Sequence, residues 1–172
     1  GINIVLKAVP SKTTLPILEC ILIDASGTEI KLTGNDMELG IETKVEGVIE
    51  ERGKLALESK LFSEIIRKLP GGDAVVTIES DNDLRVIITC DNSVFNIQGR
   101  DGEEFAYLPY IERDNYICLS QFTLKEVIRQ TIFSIAPNDS NKMMTGELFQ
   151  VSGSQLKVVS LDGHRISIRN VE

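Results

Sequence analysis

Residues 22–36 read LIDASGTEIKLTGND and residues 148–162 read LFQVSGSQLKVVSLD, and the two overlie without a gap at an offset of 126 positions. Ser26 meets Ser152, Gly27 meets Gly153, Lys31 meets Lys157 and Asp36 meets Asp162. Apolar positions keep phase as well: Leu22 with Leu148, Ala25 with Val151, Ile30 with Leu156 and Leu32 with Val158. In each copy two strand-like runs flank a Ser-Gly pair, which is a hairpin signal. This self-match predicts one structural module present twice. The first copy is expected to cover residues 1–112. The second covers 113–172 and stops unfinished, and its first strand, at 115–119, has no counterpart in copy one, so the chain reads as a fragment of something longer.

Most of the remaining sequence also alternates with period two. Leu39, Ile41 and Val45 do so, then Leu55 and Leu57, Val76 and Ile78, Leu84, Val86 and Ile88, and Phe95 and Ile97. Such runs predict half-buried antiparallel strands. Three segments switch to helical spacing. Residues 2–9 are short, apolar and ended by Pro10; residues 60–69 follow Ser59, a candidate cap, and stop at Pro70-Gly71-Gly72. Residues 121–134 follow Ser120, a second candidate cap. Long strands with a few helices predict an α+β fold.

Net charge is −8, which by itself opposes a nucleic-acid partner. Its distribution reverses that reading. The three helical segments hold Lys7, Lys60, Arg67, Lys68, Lys125 and Arg129 against Glu64 and Glu126, a net of +4, so strands and loops together carry −12. Basic helices and acidic sheets suit a molecule whose helices face an anion. Cys20, Cys90 and Cys118 are odd in number, widely spaced and without a CxxC pair, which opposes a disulfide framework or a thiolate zinc site and favours the cytoplasm. No apolar run reaches the roughly 20 residues that span a bilayer, so no membrane partner is expected. The glycosylation pattern at Asn138-Asp139-Ser140 is one that arises often by chance.

The only histidine lies in SLDGHRIS, residues 160–167, where Asp162, His164 and Arg165 crowd together. A hydrolase using Asp162 and His164 is one reading. Against it, the counterpart of this stretch in copy one is GNDMELGI, with Glu38 in the place of His164. No GxSxG, Walker lysine loop or HExxH occurs. Asp81-Asn82-Asp83 opens like a calcium loop but lacks glycine at the sixth position and glutamate at the twelfth. The chain is expected to be no enzyme and to need no cofactor or metal.

TTLPILECILID, LTGNDMELGIE, KLFSEIIRKLPGG, FNIQGRDGEEFAYLP, GELFQVSG and SLDGHRIS together resemble the bacterial DNA polymerase III beta subunit, the sliding clamp family. The match runs in order along nearly the whole chain, and the DGEEF-x-x-LP and DGHR segments are its most specific parts. The resemblance implies a ring made from a head-to-tail homodimer of three-domain chains, with helices lining the hole and sheets outside. This chain would then hold domain one, without its first strand, and half of domain two, with domain three absent. It implies contact with duplex DNA at Lys12 and through residues 138–143, with Asn138, Lys142 and Met143; aromatic residues stand at the last two positions in some members, so stacking is not expected here. Arg67, Lys68, Lys125 and Arg129 would face the duplex from the helices. It also implies a pocket built by Met144, Leu161, Gly163, His164, Arg165 and Ile166. That pocket would take a short Gln-Leu-x-Leu-Phe-type motif from the polymerase III catalytic subunit, the clamp loader and repair proteins. A peptide-binding scaffold without nucleic acid is the alternative, disfavoured by the helix charge.

Overall fold

The computed structural model describes residues 1–112, 114, 116–138 and 141–172. The chain divides into two compact units, Gly1–Tyr110 and Ile111–Glu172. Unit one runs α1 (Ile2–Val5), β1 (Cys20–Asp24), β2 (Ile30–Asn35), β3 (Gly40–Val45), β4 (Lys54–Glu58), α2 (Ser59–Lys68), β5 (Thr77–Ser80), β6 (Arg85–Cys90), β7 (Ser93–Gln98) and β8 (Arg100–Asp101). These strands form two antiparallel sheets, ordered β3-β2-β1-β4-β8 and β5-β6-β7. Unit two holds α3 (Gln121–Thr131), β9 (Leu148–Ser152), β10 (Gln155–Leu161) and β11 (Ile166–Val171), with β10 central in an antiparallel sheet.

Period two explains the layering of unit one. Ile21, Leu32, Leu55 and Leu57 point to one side of the larger sheet, where Val5 of α1, Phe62 and Ile65 of α2, and Val86 and Ile88 of β6 meet them. Cys20, Leu22 and Ala56 point to the other side and are covered by Phe105. In unit two, Val127 of α3 packs on Leu156 and Val158 of β10, with Leu119 and Val171 against them.

The repeat holds at the level of hydrogen-bond register. Leu22 pairs with Thr33 in unit one and Leu148 with Val159 in unit two; Ile30 pairs with Val45 and Leu156 with Val171. Each pairing is the other shifted by 126 residues. Short helices obey the same shift. A 3-10 turn at Leu6–Ala8 continues α1 and one at Ile132–Ser134 continues α3, while the turns Pro16–Glu19 and Lys142–Thr145 precede the first strands.

Several local expectations are corrected. The helix at 2–9 is α only to Val5; Val9 is already extended (φ −89°, ψ 124°), as the residue before a proline prefers. Ser120 caps α3 through Thr123 N–H, but α2 is capped by Glu58, whose carboxylate accepts from the N–H groups of Lys60 and Leu61. Ser59 is the first helical residue and buried. A carboxylate reaches two orphan donors and complements the helix dipole, which the serine hydroxyl cannot match. Leu84 is a turn residue with φ 58°. Residues 116–119 pair with no strand among the described residues; their polar backbone lacks a ladder neighbour there, and Leu119 serves the core instead. Position 115 lies outside the described residues.

Candidate nucleic-acid interface and docking face

Lys12 is exposed on the loop ahead of the turn Pro16–Glu19. Shifted by 126, it becomes Asn138, so the two expected DNA-contacting loops are the same loop of the two modules. Their anchors agree: Leu18 N–H donates to the Leu15 carbonyl and Met144 N–H to the Asn141 carbonyl, both at 3.0 Å. The shared offset, carried upstream of the quoted stretches, was the signal for this equivalence. Asn138, Lys142 and Met143 are exposed, Met143 to 86%. Positions 139 and 140 of that loop lie outside the described residues.

The helix cations differ in what holds them. Arg67 Nη2 donates to Asn3 Oδ1 at 3.1 Å, tying α2 to α1. Lys68, one residue on and therefore turned about the helix, lines a shallow groove with Leu61, Ile65, Val94 and Phe95. Arg129 is gripped by Glu126 through Nε at 3.0 Å and Nη2 at 2.7 Å. That pairing raises the guanidinium's pKa and lowers the carboxyl's, and it offsets the charge within one helix turn. Lys125 is exposed on the same helix.

At the β10–β11 turn the chain reverses over Asp162–Gly163–His164–Arg165. Asp162 Oδ1 accepts from the N–H groups of His164 and Arg165, each at 3.0 Å, and Oδ2 accepts from Arg165 Nε at 2.8 Å. The His164 N–H first, then the Arg165 donors, hold the Asp162 carboxyl below the usual carboxylate range. The carboxylate is thus engaged by backbone and guanidinium, a turn-forming arrangement with no triad geometry. Gly163 has φ 83°, a conformation that favours glycine. Leu161 and Ile166 are cross-strand partners flanking the turn, exposed to 36% and 59%. Met144 is half-buried on the turn Lys142–Thr145, its carbonyl accepting from Ala136 N–H. The structure therefore joins Leu161, Gly163, His164, Arg165 and Ile166 at one sheet end and sets Met144 on a separate element.

Module one makes the same turn. Asp36 Oδ1 accepts from the N–H groups of Glu38 and Leu39, which lower its pKa, and Met37 takes φ 74° where Gly163 stands in module two. That sheet end is covered. Asn35 Nδ2 donates to the Ala106 carbonyl at 2.9 Å, and a Cβ on Gly40, the counterpart of Ile166, would run into the Leu108 side chain. Lys54 fastens this covering segment through Glu103 at 3.0 Å and Tyr107 Oη at 2.8 Å.

The module is thus repeated in register, with basic side chains on α2 and α3. Residues 1–109 match the model of the DNA polymerase III beta subunit N-terminal domain, and residues 118–172 match that of its central domain. The chain belongs to the DNA polymerase III beta subunit family. It is 38% identical over 176 residues to the beta sliding clamp of Bacillus subtilis, covering 98% of this chain and 46% of that protein. With the Staphylococcus aureus beta sliding clamp it shares 35% over 179 residues, 99% of this chain and 47% of the other. Among solved structures, a putative DNA polymerase III beta subunit from Eubacterium rectale superposes with a TM-score of 0.95 at 65% identity over all of this chain and 47% of that one. The Bacillus subtilis sliding clamp gives 0.92 at 36% identity, covering 99% of this chain and 47% of that one. The chain spans about half the length of these relatives. Among the described residues no group of three or more His, Cys, Asp or Glu is placed to hold a metal ion, and no helix is long and apolar enough to cross a membrane.

Proposed function

We propose that this chain forms the first two modules of a DNA sliding clamp, a non-catalytic processivity factor that encircles duplex DNA in the cytoplasm. The module repeated in one register, with the basic helices α2 and α3 and the acidic residues gathered mainly in the connecting loops, is the observation that carries this reading. Attraction would be to phosphates and indifferent to base sequence. Lys12 and Lys125 suit exchangeable contacts, because an ammonium on a flexible stem holds no fixed geometry; Lys68, in the groove beside β7, is set apart from them. Arg67, Arg129 and the 138–143 loop would add to them. Ring closure as a head-to-tail homodimer is supported by β7, an edge strand beside the groove that Leu61, Ile65 and Val94 line. An unpaired strand edge next to apolar side chains favours pairing with another chain.

The turn end of the β10–β11 sheet would dock short apolar motifs of the polymerase III catalytic subunit, the clamp loader and repair proteins. Leu161 and Ile166 would form its floor, with Met144 adjoining and His164 and Arg165 at the rim. DNA retention decides between this and a scaffold that ignores nucleic acid. A full-length clamp carrying this sequence should stay on circular duplex DNA through a salt wash and leave once the circle is linearised. Equal loss from circular and linear DNA would overturn encirclement.

A further inference from the structure

Lys7 sits on the 3-10 turn Leu6–Ala8, one turn beyond Asn3, and both residues are exposed. Residues four apart share a helix face, so Asn3 and Lys7 present to the same side. Arg67 reaches that side from α2 and is held there by the Asn3 amide oxygen. The acceptor is neutral. It fixes one N–H of the guanidinium, and among the described residues no carboxylate forms an ion pair with Arg67. Module two treats the same positions differently: Arg129 replaces Asn3 and is closed on Glu126 at 2.7 Å, while Phe133 replaces Lys7 and is 59% exposed. Two cations on an open surface, without an enclosing cavity, match an extended polyanion better than a small phosphorylated ligand.

We propose that Lys7 and Arg67 together contact backbone phosphates of duplex DNA, with Asn3 as the positioning residue that orients Arg67 without neutralising it. The proposal deepens the sliding-clamp reading and rests on it. Module one then carries the stronger electrostatic hold, since module two spends Arg129 on Glu126 and has no cation at the Lys7 position.

The test is equilibrium binding of a full-length clamp carrying this sequence to a short linear duplex, whose ends let the ring enter and leave, measured over a salt series. Lys7→Gln should flatten the slope of log K against log salt by about 0.9, the value of one lost phosphate contact. Asn3→Asp should flatten it by a similar amount, although it removes no cation, because it pairs Arg67 with a carboxylate. Asn3→Gln, which keeps a neutral acceptor, should leave the slope largely intact. These side chains are exposed, and an unchanged thermal midpoint establishes that each variant folds. An unaltered slope in Lys7→Gln, with Lys12→Gln still flattening it, would overturn the patch and leave the clamp reading standing. A slope altered by Lys7→Gln but not by Asn3→Asp would overturn the positioning role. If the unsubstituted clamp binds the linear duplex without salt dependence, the patch fails, while retention on circular against linearised DNA still decides the clamp reading.

Discussion

The two modules share strand register, turn geometry and short-helix positions, yet they differ beneath the helix in a way that a backbone trace would not reveal. Beneath the helix, module one is apolar where module two is polar. Val5, Ala8, Ile21, Gly34 and Ile41 correspond to Thr131, Ser134, Glu147, Ser160 and Ser167. Thr131 Oγ1 donates to Glu147 at 2.6 Å, the Ser134 and Ser167 hydroxyls meet at 2.6 Å, and the Ser160 hydroxyl donates to the Thr131 carbonyl. Gly34 has no Cβ because one would collide with the Val5 carbonyl, the same carbonyl position that Ser160 uses as an acceptor. At the sheet end, residues 101–108 cover module one; the same offset places their counterparts past residue 172, and in the residues present Leu161 and Ile166 are exposed. One scaffold therefore tolerates opposite solutions, provided each buried polar group finds a partner.

Removing the cover should produce the largest effect. Phe105 is 2% exposed and fills the far side of the sheet in unit one. Phe105→Ala should cost about 3–5 kcal/mol in chemical denaturation, with protection from hydrogen exchange lost in unit one and kept in unit two. Equal losses in both units would mean that the two units unfold together and that the cover does not stabilise module one alone.

Next comes the open end. Leu161→Asp in a full-length clamp should weaken binding of a Gln-Leu-Ser-Leu-Phe peptide roughly thirtyfold, about 2 kcal/mol for an apolar hot spot. DNA retention should persist in the same variant. Unchanged peptide affinity would remove the docking role from this sheet end. His164→Ala should weaken binding less than Leu161→Asp, because an exposed imidazole remains partly hydrated.

The polar core offers a finer test. Thr131→Val alone strands the groups that its hydroxyl satisfies and should destabilise unit two by about 1–3 kcal/mol. Installing all five module-one residues together should cost less than that single change, since partners leave together. A larger loss in the fivefold variant would show that the network contributes more than mutual satisfaction.

The smallest effect lies in the turns. Gly163→Ala should destabilise by about 1 kcal/mol and Met37→Gly should stabilise by a fraction of that, because each residue holds a positive φ that only glycine takes without strain. The same sign for both would break the equivalence of the two turns.

The repeat, the strand phase and the α+β class were legible in the chain because period two and a fixed offset are properties of sequence alone. The shared Asp36 and Asp162 mark the turn that both modules build. The Glu58 cap was missed because Ser59 is the stronger local signal, and only the helix's actual start shows which side chain reaches the free N–H groups. Alternation also extended the β6 pattern to Leu84, whose φ of 58° belongs to the turn. Lys68 read as a partner of Arg67, but adjacent helix residues diverge by about 100°, and packing against β7 decided which of them lines the groove. For Arg129 the Glu126 pairing was available at helical spacing, yet net charge counted both residues without pairing them.

From sequence alone came the module, its duplication and the basic character of α2 and α3, since these depend on residue order and short-range periodicity; the strands, expected to be acidic, hold seven basic against five acidic residues. Tertiary structure alone decided how the sheet end of module one is covered and which helix cations are paired. Leu108 over Gly40 and Asn3 against Arg67 are contacts between residues 68 and 64 positions apart, and no local period encodes such pairs. They exist only once the sheets and helices have packed.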